Sequence, residues 1–125
     1  MKTQNLLVFM ALATALSACS KNDEVLAFIK DNDALAADLK AKAESEGPEA
    51  VTKALDAKRD DLKARFAALK GARGFQVSKE NQAALMKSVT RSTMTVCGLS
   101  LKAIGDREKA AAYSAACRTY SAIFR

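Results

Sequence analysis

Apolar side chains recur at helical spacing through most of the chain, and short breaks of polar, glycine or proline residues separate the runs. Val25, Ile29, Leu35 and Leu39 fall near a 3.6-residue period, with Phe28 and Ala36 widening the stripe, which predicts a helix over 23–46. Asn22 stands where a cap belongs, and Asp23 and Glu24 suit the positive end of the helix. Gly47-Pro48 marks a stop and a restart, with Pro48 placed as a first helical residue. Val51, Leu55, Leu62, Phe66 and Leu69 form the seam of a second helix over 48–70. Asp56 with Arg59, Asp60 with Lys63 and Asp61 with Arg65 are spaced for weak surface pairs on that helix. So short a turn implies an antiparallel hairpin.

Gly71-Ala72-Arg73-Gly74 reads as a positive loop, and Phe75-Gln76-Val77 as a segment packing down on the core. Ser78 caps a third helix over 79–104, with Leu85, Val89, Val96 or Cys97, Leu101 and Ile104 in rough period. The β-branched stretch from Val89 to Val96 permits a strand, but no second strand exists to pair with it. Gly98 weakens this helix, and either admits the close approach of another backbone or marks a break. Gly105-Asp106 signals a turn, and a fourth helix over 107–124 carries Tyr113, Cys117, Tyr120 and Phe124 on one face. The pattern predicts an all-α fold, antiparallel helical hairpins or a small four-helix bundle, in a single domain over 23–125.

The first twenty residues follow another rule. Lys2 precedes an almost wholly apolar run from Leu6 to Leu16, eleven residues long. A transmembrane helix needs about 20 residues, so the run reads as a secretion signal instead. Leu16-Ser17-Ala18-Cys19 closes it and resembles the lipobox of bacterial lipoproteins at all four positions. The resemblance implies that residues 1–18 are a cleaved signal peptide, that the Cys19 thiol carries diacylglycerol, and that the new amine is acylated. Residues 19–22 then form a short lipidated tether. Two or more acyl chains give stable attachment to a bilayer without a spanning helix. Ser20 stands after the cysteine where an Asp would imply retention in the inner membrane, so the resemblance implies the outer membrane, facing the periplasm.

Composition narrows the chemistry. The 125 residues contain no His and no Trp, which removes the usual general base, imidazole metal ligands and Ser-His or Cys-His pairs. Asp60 and Asp61 are adjacent and point to different sides of a helix, poor geometry for paired acid–base work. No enzymatic activity, cofactor or metal is expected. Beyond Cys19 the remaining thiols are Cys97 and Cys117. Their midpoint lies beside the Gly105-Asp106 turn, so helices folded there bring them to similar heights. In an oxidising compartment this predicts a disulfide, whereas a redox or metal role would want a Cys-x-x-Cys spacing.

Charge divides unevenly. Cys19 to Asp61 holds seven bases against eleven acids, net −4, while Leu62 to Arg125 holds twelve bases against three acids, net +9. The halves partly neutralise each other on folding, or the basic half meets an anionic partner. In an exported lipoprotein an anionic envelope component or an acidic protein face suits that surface better than nucleic acid. Lys63, Arg65, Lys70, Arg73 and Lys79, around the loop, are the candidate contact residues. Size, lipid anchor, helicity and one disulfide are similar to the pilotin lipoproteins, which implies a non-enzymatic binding or adaptor role through a groove between helices. A protective lipoprotein, conferring toxin immunity or excluding phage or plasmid entry, is the alternative.

Overall fold

The chain was analysed as a computed structural model, which describes residues 20–72 and 76–125. Four long helices and one single-turn helix account for the described elements: α1 (Asn22–Ser45), α2 (Pro48–Lys70), α3 (Lys79–Cys97), α4 (Leu99–Lys102) and α5 (Arg107–Ala122). The domain is all-α, built from two hairpins. Residues 1–19, over which the signal peptide and the lipidated Cys19 are expected, and 73–75, which include Arg73 and Phe75, fall outside the described residues.

Each hairpin follows from local chemistry. Glu46 and Gly47 both donate backbone N–H groups to the Lys42 carbonyl at 2.8 Å, closing α1. Gly47 then takes a φ of +110°, a region that L side chains rarely enter, and Pro48 opens α2. In the second hairpin the Ser78 hydroxyl accepts from the Asn81 N–H at 3.2 Å, and the Asp106 carboxylate accepts from the Lys109 N–H at 3.1 Å. Asn22 departs from its expected role. It is the first residue of α1, and its side-chain oxygen accepts from the Ser78 N–H and the Asn81 amide, both at 2.9 Å. A cap for its own helix has become a tie between the starts of α1 and α3.

The helix expected over 79–104 divides at Gly98. Beyond it the backbone bonds shorten to three-residue spacing, Leu101 N–H to Gly98 and Ala103 N–H to Ser100, both at 3.2 Å. The last helix ends at Ala122, two residues before the expected boundary.

α1 packs on α2 and α3, and α5 packs on α2 and α3, so α2 and α3 occupy opposite corners of a square. α1 and α3 run parallel. Asn22 meets Ser78, Asn32 meets Ser88 and Ser92, and Glu44 meets Lys102. Val25, Phe28, Leu39, Val51, Leu55, Leu62, Val96, Leu99, Tyr120 and Ile123 form the most enclosed part of the core. Each large apolar side chain buried this way stabilises by about 1.5–3 kcal/mol. Phe28, Phe66 and Phe124 gather at one end with ring centroids 5.2–6.4 Å apart. Val77 folds down onto the core from the loop.

Cys97 and Cys117 are joined in a disulfide, with their Cα atoms 4.5 Å apart. It fastens α3 to α5 across the second hairpin. Replacing both by Ala should lower the unfolding free energy by about 3 kcal/mol, as chain entropy gives for a loop of this length. Urea denaturation of the oxidised protein and the double variant reads this, and coincident midpoints would contradict it.

Candidate functional site

A buried amide lies at the centre of the bundle. Asn32 falls on the apolar stripe of α1, four residues after Phe28 and three before Leu35, and is fully enclosed. Ser88 and Ser92 hold the matching positions on α3 and are also buried. The Asn32 amide donates to the Ser92 hydroxyl at 2.9 Å and the Ser88 hydroxyl at 3.2 Å. Ser88 donates onward to the Asp33 carboxylate at 2.7 Å, and Ser92 to the Val89 carbonyl at 3.1 Å. From α5 the Tyr120 hydroxyl donates to the Asn32 side-chain oxygen. Among the described residues no buried side-chain nitrogen or oxygen lacks a partner. With each of its buried polar atoms partnered, the network ties α1, α3 and α5 together. Sequence reasoning passed over Asn32, Ser88 and Ser92. The available signal was a set of small polar residues at core spacing inside two apolar stripes.

Burial pushes the Tyr120 hydroxyl pKa up to about 12, the nearby Asp33 charge adding to the rise and its hydrogen bonds opposing it. Burial also raises that of Tyr113, whose hydroxyl donates to the Ala43 carbonyl at 3.4 Å.

On the outer side of α1 and α2 runs a groove of about 420 Å³. Leu35 and Leu62 form its floor, and Ala34, Ala54 and Ala57 leave it open by the smallness of their side chains. Asp31, Asp38, Asp61, Lys58 and Arg65 rim it. Arg65 closes one end, donating to Asp31 at 2.7 Å and to Asp61 at 3.3 Å while lying 5.7 Å over the Phe28 ring. The hydrogen bond to Asp31 is the main cause of its raised pKa.

The five basic residues singled out from the sequence do not form one cluster. Lys63 and Lys70, seven residues apart, share one exposed face of α2. Arg65 lies on another side of that helix and is engaged by its two carboxylates. Lys79 is exposed at the start of α3, and Arg73 lies outside the described residues. Asp56 and Asp61 meet their expected partners, both at 3.3 Å, whereas Asp60 pairs with Arg59 at 3.2 Å. The acidic and basic halves touch through Arg65–Asp31 at 2.7 Å, Arg65–Asp61 at 3.3 Å, Arg91–Asp33 at 3.8 Å and Lys102–Glu44 at 3.4 Å. Among the described residues no group of three or more His, Cys, Asp or Glu side chains is arranged to hold a metal, and no helix is long and apolar enough to cross a membrane.

Comparison with family models, curated proteins and solved structures finds no match to the chain.

Removing the central amide takes away the acceptor of the Tyr120 hydroxyl and the donors to the Ser88 and Ser92 oxygens in an apolar core. Asn32→Ala should therefore cost about 2–4 kcal/mol in chemical denaturation, and Tyr120→Phe, which removes one donor, about 1–2 kcal/mol. Arg65→Ala, at a partly exposed pair, should cost only about 1 kcal/mol. A smaller loss for Asn32→Ala than for Arg65→Ala would contradict the assignment.

The tyrosine also sets a pH dependence. The unfolded phenol ionises near pH 10 and the folded one near 12. Its contribution is complete below pH 10 and is lost as pH rises to 12, with a slope of up to about 1.4 kcal/mol per pH unit. Rapid denaturation measurements at pH 9 and 11.5 should show that fall, and Tyr120→Phe should flatten most of it. An equal fall in Tyr120→Phe would refute its origin.

Proposed function

We propose that this chain is a lipid-anchored binding lipoprotein of the outer membrane, facing the periplasm, which takes an apolar segment of a partner protein into the α1/α2 groove. Support comes first from the order of features at the N-terminus. The lipobox cysteine Cys19 is followed by Ser20 and Lys21, and α1 begins at Asn22. A lipid at Cys19 would therefore hold the helical body against a bilayer through only two intervening residues.

The observation that carries the binding role is the groove. Its leucine floor and alanine walls supply apolar contact, and its charged rim supplies orientation. This is the arrangement by which a partner helix or extended segment is recognised through a few apolar anchors. The Arg65 clamp bounds one end. The buried amide network holds α1 against α3 and α5, and the disulfide joins α3 to α5 behind the groove.

Two measurements test the proposal. Labelled palmitate should enter the wild-type protein and not Cys19→Ser, and the variant should leave the membrane fraction. Unlabelled wild-type protein would refute the anchor. A photocrosslinking side chain in place of Ala57 should capture a defined protein in intact envelopes, with Ala34→Trp reducing capture at least fivefold by filling the groove. Capture unchanged by Ala34→Trp would refute the groove as the binding site.

A further inference from the structure

We infer that the outward face of α3 is a bilayer-contacting surface that recognises anionic phospholipid. Met86, Thr90 and Met94 follow one another at four-residue intervals on the side of α3 turned away from Ser88, Ser92 and Val96. Met86 is 57% exposed and Met94 71% exposed. Leu101 and Ile104, on the turns that follow, are also largely exposed. Four of the five large apolar side chains that the described residues expose therefore lie between 86 and 104.

The charges of this segment have one sign. From Asn81 to Gly105 the chain has no Asp or Glu and three bases, Lys87, Arg91 and Lys102. Lys87 and Arg91 stand beside Met86 and Met94 on the same open face. Lys87 has no ion pair among the described residues. Arg91 reaches Asp33 only at 3.8 Å, with its side chain 63% exposed.

Exposed unbranched apolar chains interleaved with bases, and no acids, are the composition of a helix lying in the interface of an anionic membrane. Methionine suits that place because it is flexible and needs no fixed pocket. The surface is a convex helix side with no facing wall, so it fits a fluid bilayer better than a shaped protein partner.

Position agrees. The start of α1 is tied to the start of α3 through Asn22 and through the Lys21 N–H, which donates to the Gln76 carbonyl at 2.8 Å. A lipid at Cys19 would bring α3 within reach of headgroups. α2 stands on the corner opposite α3. A bundle resting on α3 thus turns α2 away from the bilayer. The inference rests on the lipid-anchor reading for the nearness of the membrane, and on the residues of α3 for its chemistry.

The test uses the full chain in living cells. p-Benzoylphenylalanine in place of Thr90 should form a phospholipid adduct on irradiation, at least threefold above the same probe in place of Ala64. Ala64 is an exposed residue of α2 pointing away from its core seam. Lys87→Glu with Arg91→Glu should reduce the adduct at 90 at least threefold, with helicity unchanged by circular dichroism. A protein adduct at 90, no adduct, equal lipid adducts at 90 and 64, or insensitivity to the charge reversal would each overturn the inference. Palmitate labelling of the same samples separates the two readings. Labelled protein without a lipid adduct at 90 keeps the anchor and sinks the α3 surface. A lipid adduct at 90 that responds to charge reversal, in unlabelled protein, does the reverse.

Discussion

A primary amide can sit in an apolar core only if its donors and acceptor are met there. Asn32 imposes that condition on this bundle. Its two N–H groups need the hydroxyls of Ser88 and Ser92, and its oxygen needs Tyr120. Sliding α3 by one turn along α1 would leave one serine on the amide and put Ala84 or Val96 in place of the other, so one amide N–H would lose its acceptor. Parallel packing of α1 on α3 is thereby held to one register, as a buried Asn does in coiled coils. The disulfide serves the other contact, α3 with α5, and the aromatic group of Phe28, Phe66 and Phe124 closes the end.

Much of the rest was local, and therefore legible. The apolar periods of α1 and α2, the Ser78 and Asp106 caps and the Gly47-Pro48 turn depend on residues within a few positions of one another. The Cys97–Cys117 pairing also followed from distances counted along a hairpin. What failed was non-local. Asn22 looks like a cap in sequence because nothing nearby competes for its oxygen, yet Ser78 and Asn81 arrive from 56 and 59 residues away. A search for apolar residues steps over Asn32, although its spacing places it squarely in the seam. Ser88 and Ser92 were hidden in the same way, since Leu85, Val89 and Val96 supply a plausible stripe without them.

The candidate surfaces divide by the same logic. Lys63, Lys70 and Lys79 were grouped by nearness in sequence to one loop, but a helix distributes neighbours around its axis. Arg65 turns toward α1 and spends its charge on Asp31 and Asp61. The α3 surface was obscured for the opposite reason. Its bases are spread thinly, and only the absence of acids across 81–105 with the exposure of Met86 and Met94 makes it visible. Across the two hairpins the ion pairs among the described residues are Arg91–Asp33 and Lys102–Glu44, and Arg65 joins the acidic and basic halves within the first hairpin.

Proton NMR of the Asn32 side chain tests the central claim most directly. An amide enclosed by two serines and a tyrosine should exchange with solvent only when the whole domain opens. It should show cross-peaks to Ser88, Ser92 and the Tyr120 hydroxyl proton, which should itself be visible in water. Rapid exchange of that amide in a fully folded protein, or a Tyr120 hydroxyl lost to solvent, would contradict the account.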